Sequence, residues 1–321
     1  MRKLDGNTGN VSPIHQDVKT LTKLIIKGEI PSIEQIIYNG LPTNKVKIGD
    51  EIFYLDAEEC SMLVDEMVAH CLIEDKIPEN SKTLLISEET SRFSSAIWFD
   101  KIRQQNVTLA GLGGIGSYVA FLLSRLGINT MTLYDPDTVE RVNLSGQLYS
   151  ENQIGDYKVN AISDMMVKYS DYYGVIAENE KLDKSSAVDK ITICGFDNMK
   201  ARKEAFENWT NLVDGLIDEE REKCLFIDGR LAAEEFQVFC IKGSDIESML
   251  NYRSYFLFSD YQADATVCSY KQTTFMANMI GSIIVNLFVN FIANQCDPLI
   301  DRDLPFYTEY NAETMYFKTV A

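Results

Sequence analysis

At 321 residues, 45% of them hydrophobic, the chain can bury a full core, and its length suits one large or two modest domains. A formal net charge of −18 repels phosphate backbones and anionic membranes. That argues against nucleic acid or a membrane as a partner and leaves room only for a local nucleotide pocket. The seven cysteines, none spaced C-x-x-C, argue against a disulfide framework or a zinc site and suit a reducing, cytoplasmic setting.

The first 20 residues are polar and turn-rich, carry no apolar run of the signal-peptide kind, and read as a loose arm. Residues 21–88 predict a small accessory region. Its clearest features are strand-like Phe53-Tyr54-Leu55 and then Asp56 as a helix N-cap with Glu59 three residues on. Leu63, Met67 and Cys71 follow at helical spacing. His15 and His70 stand apart from any carboxylate or cysteine pattern and read as surface or packing residues. A boundary near 88 therefore separates residues 1–88 from a larger domain over 89–321.

From residue 107 the pattern is strand, glycine turn, helix, strand. Val107–Ala110 is apolar; Gly111, Gly113, Gly114 and Gly116 form G-x-G-G-x-G; a helix over Ser117–Leu126 closes on Gly127; Thr130–Tyr134 is the next strand. This is the βαβ unit of an α/β protein with a Rossmann-like, mostly parallel sheet flanked by helices. Further strands are expected at Ile191–Cys194, Leu225–Ile227 and Phe236–Ile241. Near the end, Phe275–Ala293 is apolar enough to raise the question of a membrane span. Asn278, Ser282, Asn286 and Asn290 nevertheless recur every fourth residue as one polar stripe, which favours a buried core or subunit-interface helix.

A glycine turn alone is a weak signal, but this one follows a strand and opens a helix, with Asp135 ending the next strand. The glycines let backbone approach a phosphate at the helix N-terminus, and Asp135 can accept from ribose hydroxyls. Three further segments narrow the choice of nucleotide. Asp135-Pro-Asp137 leads through Asn143 to Gln147; Gly155-Asp-Tyr-Lys158 comes next; Asp197-Asn198-Met-Lys-Ala-Arg202 stands after a later strand. The set offers a hydroxyl-binding carboxylate, amides, a lysine for phosphate oxygens and a carboxylate able to hold Mg2+. A hydride-transfer enzyme needs no such lysine and metal pair.

The ordered set resembles the ThiF/MoeB-type adenylyltransferases, a family that includes the adenylation domains of ubiquitin-activating enzymes. The resemblance covers residues from about 90 to 295. It implies ATP and Mg2+ as the nucleotide and metal, Asp135 on the ribose, Asn143, Gln147 and Lys158 at the phosphates, Asp137 within the same segment, and Asp197 on the metal. Arg92 looks like the family's arginine that reaches a nucleotide across a homodimer interface. One departure stands out, because relatives carry Arg immediately before the glutamine and this chain has Gly146. Arg141 and Arg230 are the candidate replacements for that charge.

The reaction implied is attack of an ionised carboxylate on the α-phosphorus of ATP with loss of pyrophosphate, for which no protein base is required. Positioning and charge neutralisation by Lys158, Arg92 and Asp197-bound Mg2+ would carry it. The expected substrate is a ubiquitin-like or sulfur-carrier protein, whose Gly-ended tail can thread to the phosphate. Adenylation of a short peptide or small carboxylate, and an inactive relative that only binds, are the alternatives. Cys268 precedes a helix in a segment similar to the cysteine segment of compact ubiquitin-like-activating enzymes. It is either a thioester-forming nucleophile, favoured by the helix N-terminus and Lys271, or a small packed residue. Cys194, at the end of an apolar strand, reads as core.

Overall fold

The computed structural model describes residues 32–38, 41–48, 51–55, 93, 96–258, 272–296 and 301–321. The chain divides into two units at Asp100 and Lys101. In the first unit β1 (Ser32–Tyr38), β2 (Leu41–Ile48) and β3 (Glu51–Leu55) form an antiparallel meander, and β3 contains the strand-like Phe53–Leu55. The helix expected after Asp56, both histidines, Arg92 and Cys268 lie outside the described residues.

The second unit is built on one eight-stranded sheet. Its strands are β4 (Asn106–Ala110), β5 (Thr130–Tyr134), β6 (Val175–Glu178), β7 (Ile191–Cys194), β8 (Leu225–Ala232), β9 (Glu235–Lys242), β10 (Tyr307–Asn311) and β11 (Tyr316–Val320). Across the sheet they run β11-β10-β9-β8-β7-β4-β5-β6. The strands from β8 to β6 are parallel, and β9, β10 and β11 extend the other edge antiparallel. β4 is the strand from which the chain winds both ways, so the crevice beyond the carboxyl ends of β4 and β7 is the topological switch point where such sheets take ligands.

The helices follow from patterning. α1 (Gly114–Leu126) begins inside the glycine turn, earlier than Ser117, and stops at Gly127, whose φ of 71° suits a residue without a Cβ. α2 (Lys158–Ser170) packs on α1 and β6, and α3 (Met199–Asp214) on β7 and β8; α4 (Ile246–Asn251) continues into a π-helical turn over Tyr252–Phe256. α5 (Thr274–Asn294) covers α1, β8 and β9. Length and composition alone would let α5 cross a membrane, yet its Met276, Ile280, Ile284 and Phe288 face the protein. The stripe of Asn278, Ser282 and Asn286 lies on the exposed side, as the four-residue spacing predicts.

β8 shows how the layers are assigned, because alternate residues of a strand face opposite sides. Phe226 joins Phe206, Trp209, Phe239 and Tyr252 in the aromatic core beneath α3. On the other face a Cβ at Gly229 would lie 2.9 Å from Ile284 and 3.3 Å from Ile115, so α5 and α1 press directly on the backbone there.

Candidate functional site

The glycine turn leaves β4 at the switch point. Gly111 has φ +83°, and a Cβ there would stand 3.0 Å from the Gly195 carbonyl oxygen, so the turn runs against the loop that leaves β7. Gly195 N–H donates to the Ala110 carbonyl at 2.9 Å and fastens the two together. At Gly116 a Cβ would meet the Gly111 oxygen at 1.9 Å, which no L side chain tolerates. These contacts explain why the turn needs glycine and how it leaves the first N–H groups of α1 facing outward, as an anion site requires.

Asp135, at the end of β5, is buried and bound to that turn. One carboxylate oxygen accepts from Leu112 N–H at 2.6 Å and the other from Asp137 N–H at 2.9 Å. Burial pushes its carboxyl above the usual range, against the opposing pull of Lys158 and of the Asp137 and Leu112 N–H groups. Tyr149 donates its hydroxyl to the Leu112 carbonyl at 2.7 Å, so both polar groups of the Leu112 peptide are clamped. Burial, with the Asp135 and Asp137 charges, pushes the Tyr149 phenol far up, and it remains a donor. Nothing in the sequence marks Tyr149 for this role, since it sits in an irregular stretch.

Lys158 is the first residue of α2, and the segment before it pairs with the segment after Asp135. Lys158 N–H donates to Asp137 O, Val139 N–H to Asp156 O and Gly155 N–H to Val139 O. Gly155 holds φ +97° with open space around it, so the backbone alone demands glycine there. The Lys158 ammonium consequently stands 2.9 Å from Asp137 and 4.0 Å from Asp135. Its side chain is 8% exposed and that of Asp137 is 65% exposed. The cation is thus buried, whereas its nearer carboxylate partner is open to solvent.

The amides are placed unevenly. Asn143 lies in a short 3-10 helix (Arg141–Ser145), where its side-chain oxygen accepts from Glu140 N–H at 2.7 Å and closes the turn. Gln147 lies beside Gly113, and its Oε1 is buried with no hydrogen-bond partner among the described residues. Leu148 N–H donates to Ser117 Oγ at 3.0 Å, which stitches this stretch onto α1. Asp197 stands exposed beyond β7, next to the α3 N-cap Asn198. It stands on the loop whose Gly195 touches the glycine turn.

The two arginines proposed to replace the charge missing at Gly146 are differently placed, Arg230 engaged in the core and Arg141 on the open surface. Arg230 donates to Asp228 at 2.7 Å and to Phe256 O at 3.0 Å, with its guanidinium 4.5 Å from the Phe239 ring centre. Arg141 pairs with Glu151 at 2.9 Å on the open surface. Arg202, read in the sequence only as the end of the Asp197-Asn198 motif, donates to Asp228 at 3.0 Å, to Gly229 O at 3.2 Å and to Phe196 O. It ties the loop that carries Asp197 to the core. Among the thiols described, burial raises Cys194 well above its usual range, Cys240 to about 12 and Cys224 to about 11. Cys194 is fully buried, as its strand position implies, and none of these three is poised as a thiolate.

The ThiF family profile matches residues 85–321. The ubiquitin-like modifier-activating enzyme 5 of Caenorhabditis elegans is 41% identical over 69 residues, 22% of this chain and 16% of the relative. That of Drosophila mojavensis is 27% identical over 177 residues, 48% of this chain and 44% of the relative. The chain therefore matches less than half the length of these relatives. Among solved structures, selenomethionine PaaA aligns over 89% of this chain and 97% of its own with 15% identity and a TM-score of 0.56. E. coli MccB crystallised with AMPCPP and MccA aligns over 89% and 94%, with 16% identity and a TM-score of 0.50. These two likenesses concern the fold.

Proposed function

The chain belongs to the ThiF family, and from that premise we propose that it is an ATP-dependent adenylyltransferase that activates the C-terminal carboxylate of a ubiquitin-like protein as an acyl-adenylate. The observation that carries the reading is the held cation of Lys158, set with Asp135 and Asp137 beside the glycine turn at the switch point. A nucleotide's phosphates would lie on the N-terminus of α1, with Lys158 neutralising charge as pyrophosphate leaves. Asp135 would accept from the ribose hydroxyls, its carboxylate positioned by Leu112 N–H and Asp137 N–H, and Asp137, exposed and paired with Lys158, would yield Lys158 to the phosphates. Asp197 would hold Mg2+, which takes one or two carboxylates and completes its shell with phosphate oxygens and water.

The choice of a ubiquitin-like acceptor is supported by the names of the sequence relatives. A short peptide, a small carboxylate or a sulfur-carrier protein is the neighbouring possibility, and each would use the same phosphate chemistry. The active unit on this reading is a homodimer, with Arg92 of one chain serving the partner's nucleotide. The exposed side of α5, with Phe275 and Met279 beside the asparagine stripe, offers a surface for it.

Calorimetry should show binding of ATP with Mg2+ and none of NAD, and ATP–pyrophosphate exchange should appear when the correct carboxylate is supplied. Tighter binding of NAD than ATP would overturn the reading. ATP binding without exchange against any carboxylate would leave a binding module. Thioester transfer is separable: Cys268→Ala should leave exchange intact and abolish a reductant-cleavable adduct with the acceptor, because the thiolate acts only after adenylation. An adduct that persists in Cys268→Ala would assign the step to another cysteine.

A further inference from the structure

Position 146 has a negative φ of −141°, outside the left-handed region that demands glycine. The space a side chain would take is filled by Gln272, just ahead of α5: a Cβ at Gly146 would lie 2.9 Å from Gln272 Nε2, 3.1 Å from Cγ and 3.3 Å from Cδ, so a residue larger than glycine requires that carboxamide to move. The same carboxamide covers Gly114, the first residue of α1, where a Cβ would lie 2.3 Å from Oε1 and 3.0 Å from Nε2. Gln272 is anchored there by its neighbours, since it bridges to Ala233 and Thr274 Oγ donates to Ser145 O. One side chain thus lies over two glycines at the helix end that faces the nucleotide.

A second observation comes from the residues on either side. Gln147 Oε1, next to Gly146, and Thr273 Oγ, next to Gln272, are both buried with no hydrogen-bond partner among the described residues. Buried polar atoms are nearly always satisfied, and an anion here would take the Thr273 hydroxyl as a donor and Gln147 with its carboxamide turned to present the NH2 group. The charge question points the same way. Among the described residues, Arg141 pairs with Glu151 and Arg230 with Asp228, and the groups seen at this end of the turn are amides and a hydroxyl.

We propose that Gln272 is a nucleotide-contacting residue, its carboxamide donating to the phosphates of ATP from the space that a side chain at position 146 would otherwise fill. The proposal rests on the nucleotide reading above and adds to it a donor and a reason for Gly146. Gly146 and Gln272 form one unit on this view, in which the glycine makes room and the glutamine uses it. A hydrogen bond to a charged group contributes about 1.5–3 kcal/mol, so its loss weakens binding roughly tenfold or more.

The test is calorimetric titration of the full chain with Mg2+-ATP and, separately, with adenosine, with a thermal melt for each variant. Gln272→Met keeps the length and bulk of the side chain and removes the amide. It should weaken ATP roughly tenfold or more while leaving adenosine unchanged. Gly146→Leu should reproduce that loss by displacing Gln272, and in a Gln272→Ala background it should cost nothing further. Gln272→Met binding ATP like the wild type would reduce the residue to a filler. Tighter ATP binding by Gln272→Ala would make it an obstruction, and additive losses would uncouple it from Gly146; each of these overturns the proposal. A wild type that binds neither ATP nor adenosine overturns the nucleotide reading itself and this inference with it, whereas a wild type that binds both isolates the fault to Gln272.

Discussion

Lys158→Ala should lower ATP–pyrophosphate exchange by about 100- to 1,000-fold, the loss associated with removing one preorganised group that stabilises developing charge. The size of the effect follows from how the cation is held. Its side chain is 8% exposed, its backbone N–H is bonded to Asp137 O, and its ammonium stands against both Asp135 and Asp137. The substitution also has a structural side. Asp135 is buried with its carboxyl already pushed up by burial, and Lys158 opposes that push, so the alanine variant should raise the Asp135 pKa further. Lys158→Met removes the same charge, and raises Asp135 in the same way, but preserves the packing of the aliphatic stem. It should melt closer to the wild type than the alanine variant and still fail in exchange. A Lys158→Met protein that retains more than a tenth of the exchange rate would remove Lys158 from the phosphate chemistry.

What the sequence made legible is what depends on short spacing. The glycine turn, Asp135 ending the next strand and Gly155–Lys158 each describe a local backbone event, and the structure joins them through hydrogen bonds that local motifs can encode. The parallel half of the sheet was legible for the same reason, since its buried strands read as apolar runs. Less visible was the antiparallel extension. β11 is exposed at every residue and β10 buries only Thr308 and Tyr310, so neither shows an apolar run. β6, a half-exposed edge strand at the other margin, was equally silent. The helix of 275–293 was correctly placed because its polar stripe has a period. Roles that depend on distant partners could not be read at all. Arg230 looked like a spare cation although Asp228, two residues earlier on β8, shares its face of the strand; Tyr252 and Phe256 O come to it only through packing of β8 against the turn after α4. Gln272 and Gly146 are far apart in the chain, and their contact is a property of the folded state.

The other large effect is expected at Asp228, which contacts no nucleotide group. Its carboxylate is fully buried on β8 and receives Arg202 at 3.0 Å, Arg230 at 2.7 Å and the Tyr252 hydroxyl at 2.8 Å. Arg202 and Arg230 are 7% and 12% exposed, so two cations share one buried anion in an aromatic surrounding. For Arg230, burial acts to lower the pKa, yet the Asp228 charge, Tyr252 and the hydrogen bonds to both together more than offset it and the guanidinium is held above its usual value. Removing the anion leaves both cations desolvated and facing each other, so Asp228→Ala should destabilise the protein by about 3–5 kcal/mol in urea unfolding. Asp228→Asn, nearly the same shape, should lose most of that amount because the missing element is charge rather than volume. Arg202 also bonds Phe196 O on the loop of Asp197, so relaxation of the cluster should loosen Mg2+-ATP binding more than adenosine binding. A joint replacement of Asp228, Arg202 and Arg230 by Leu, Met and Met should recover much of the stability, since apolar packing can match a buried ionic cluster, but should not recover the Mg2+-ATP affinity. Unfolding of Asp228→Ala within about 1 kcal/mol of the wild type would show that the two arginines find other partners or solvent, and the cluster would then hold neither the core nor the loop.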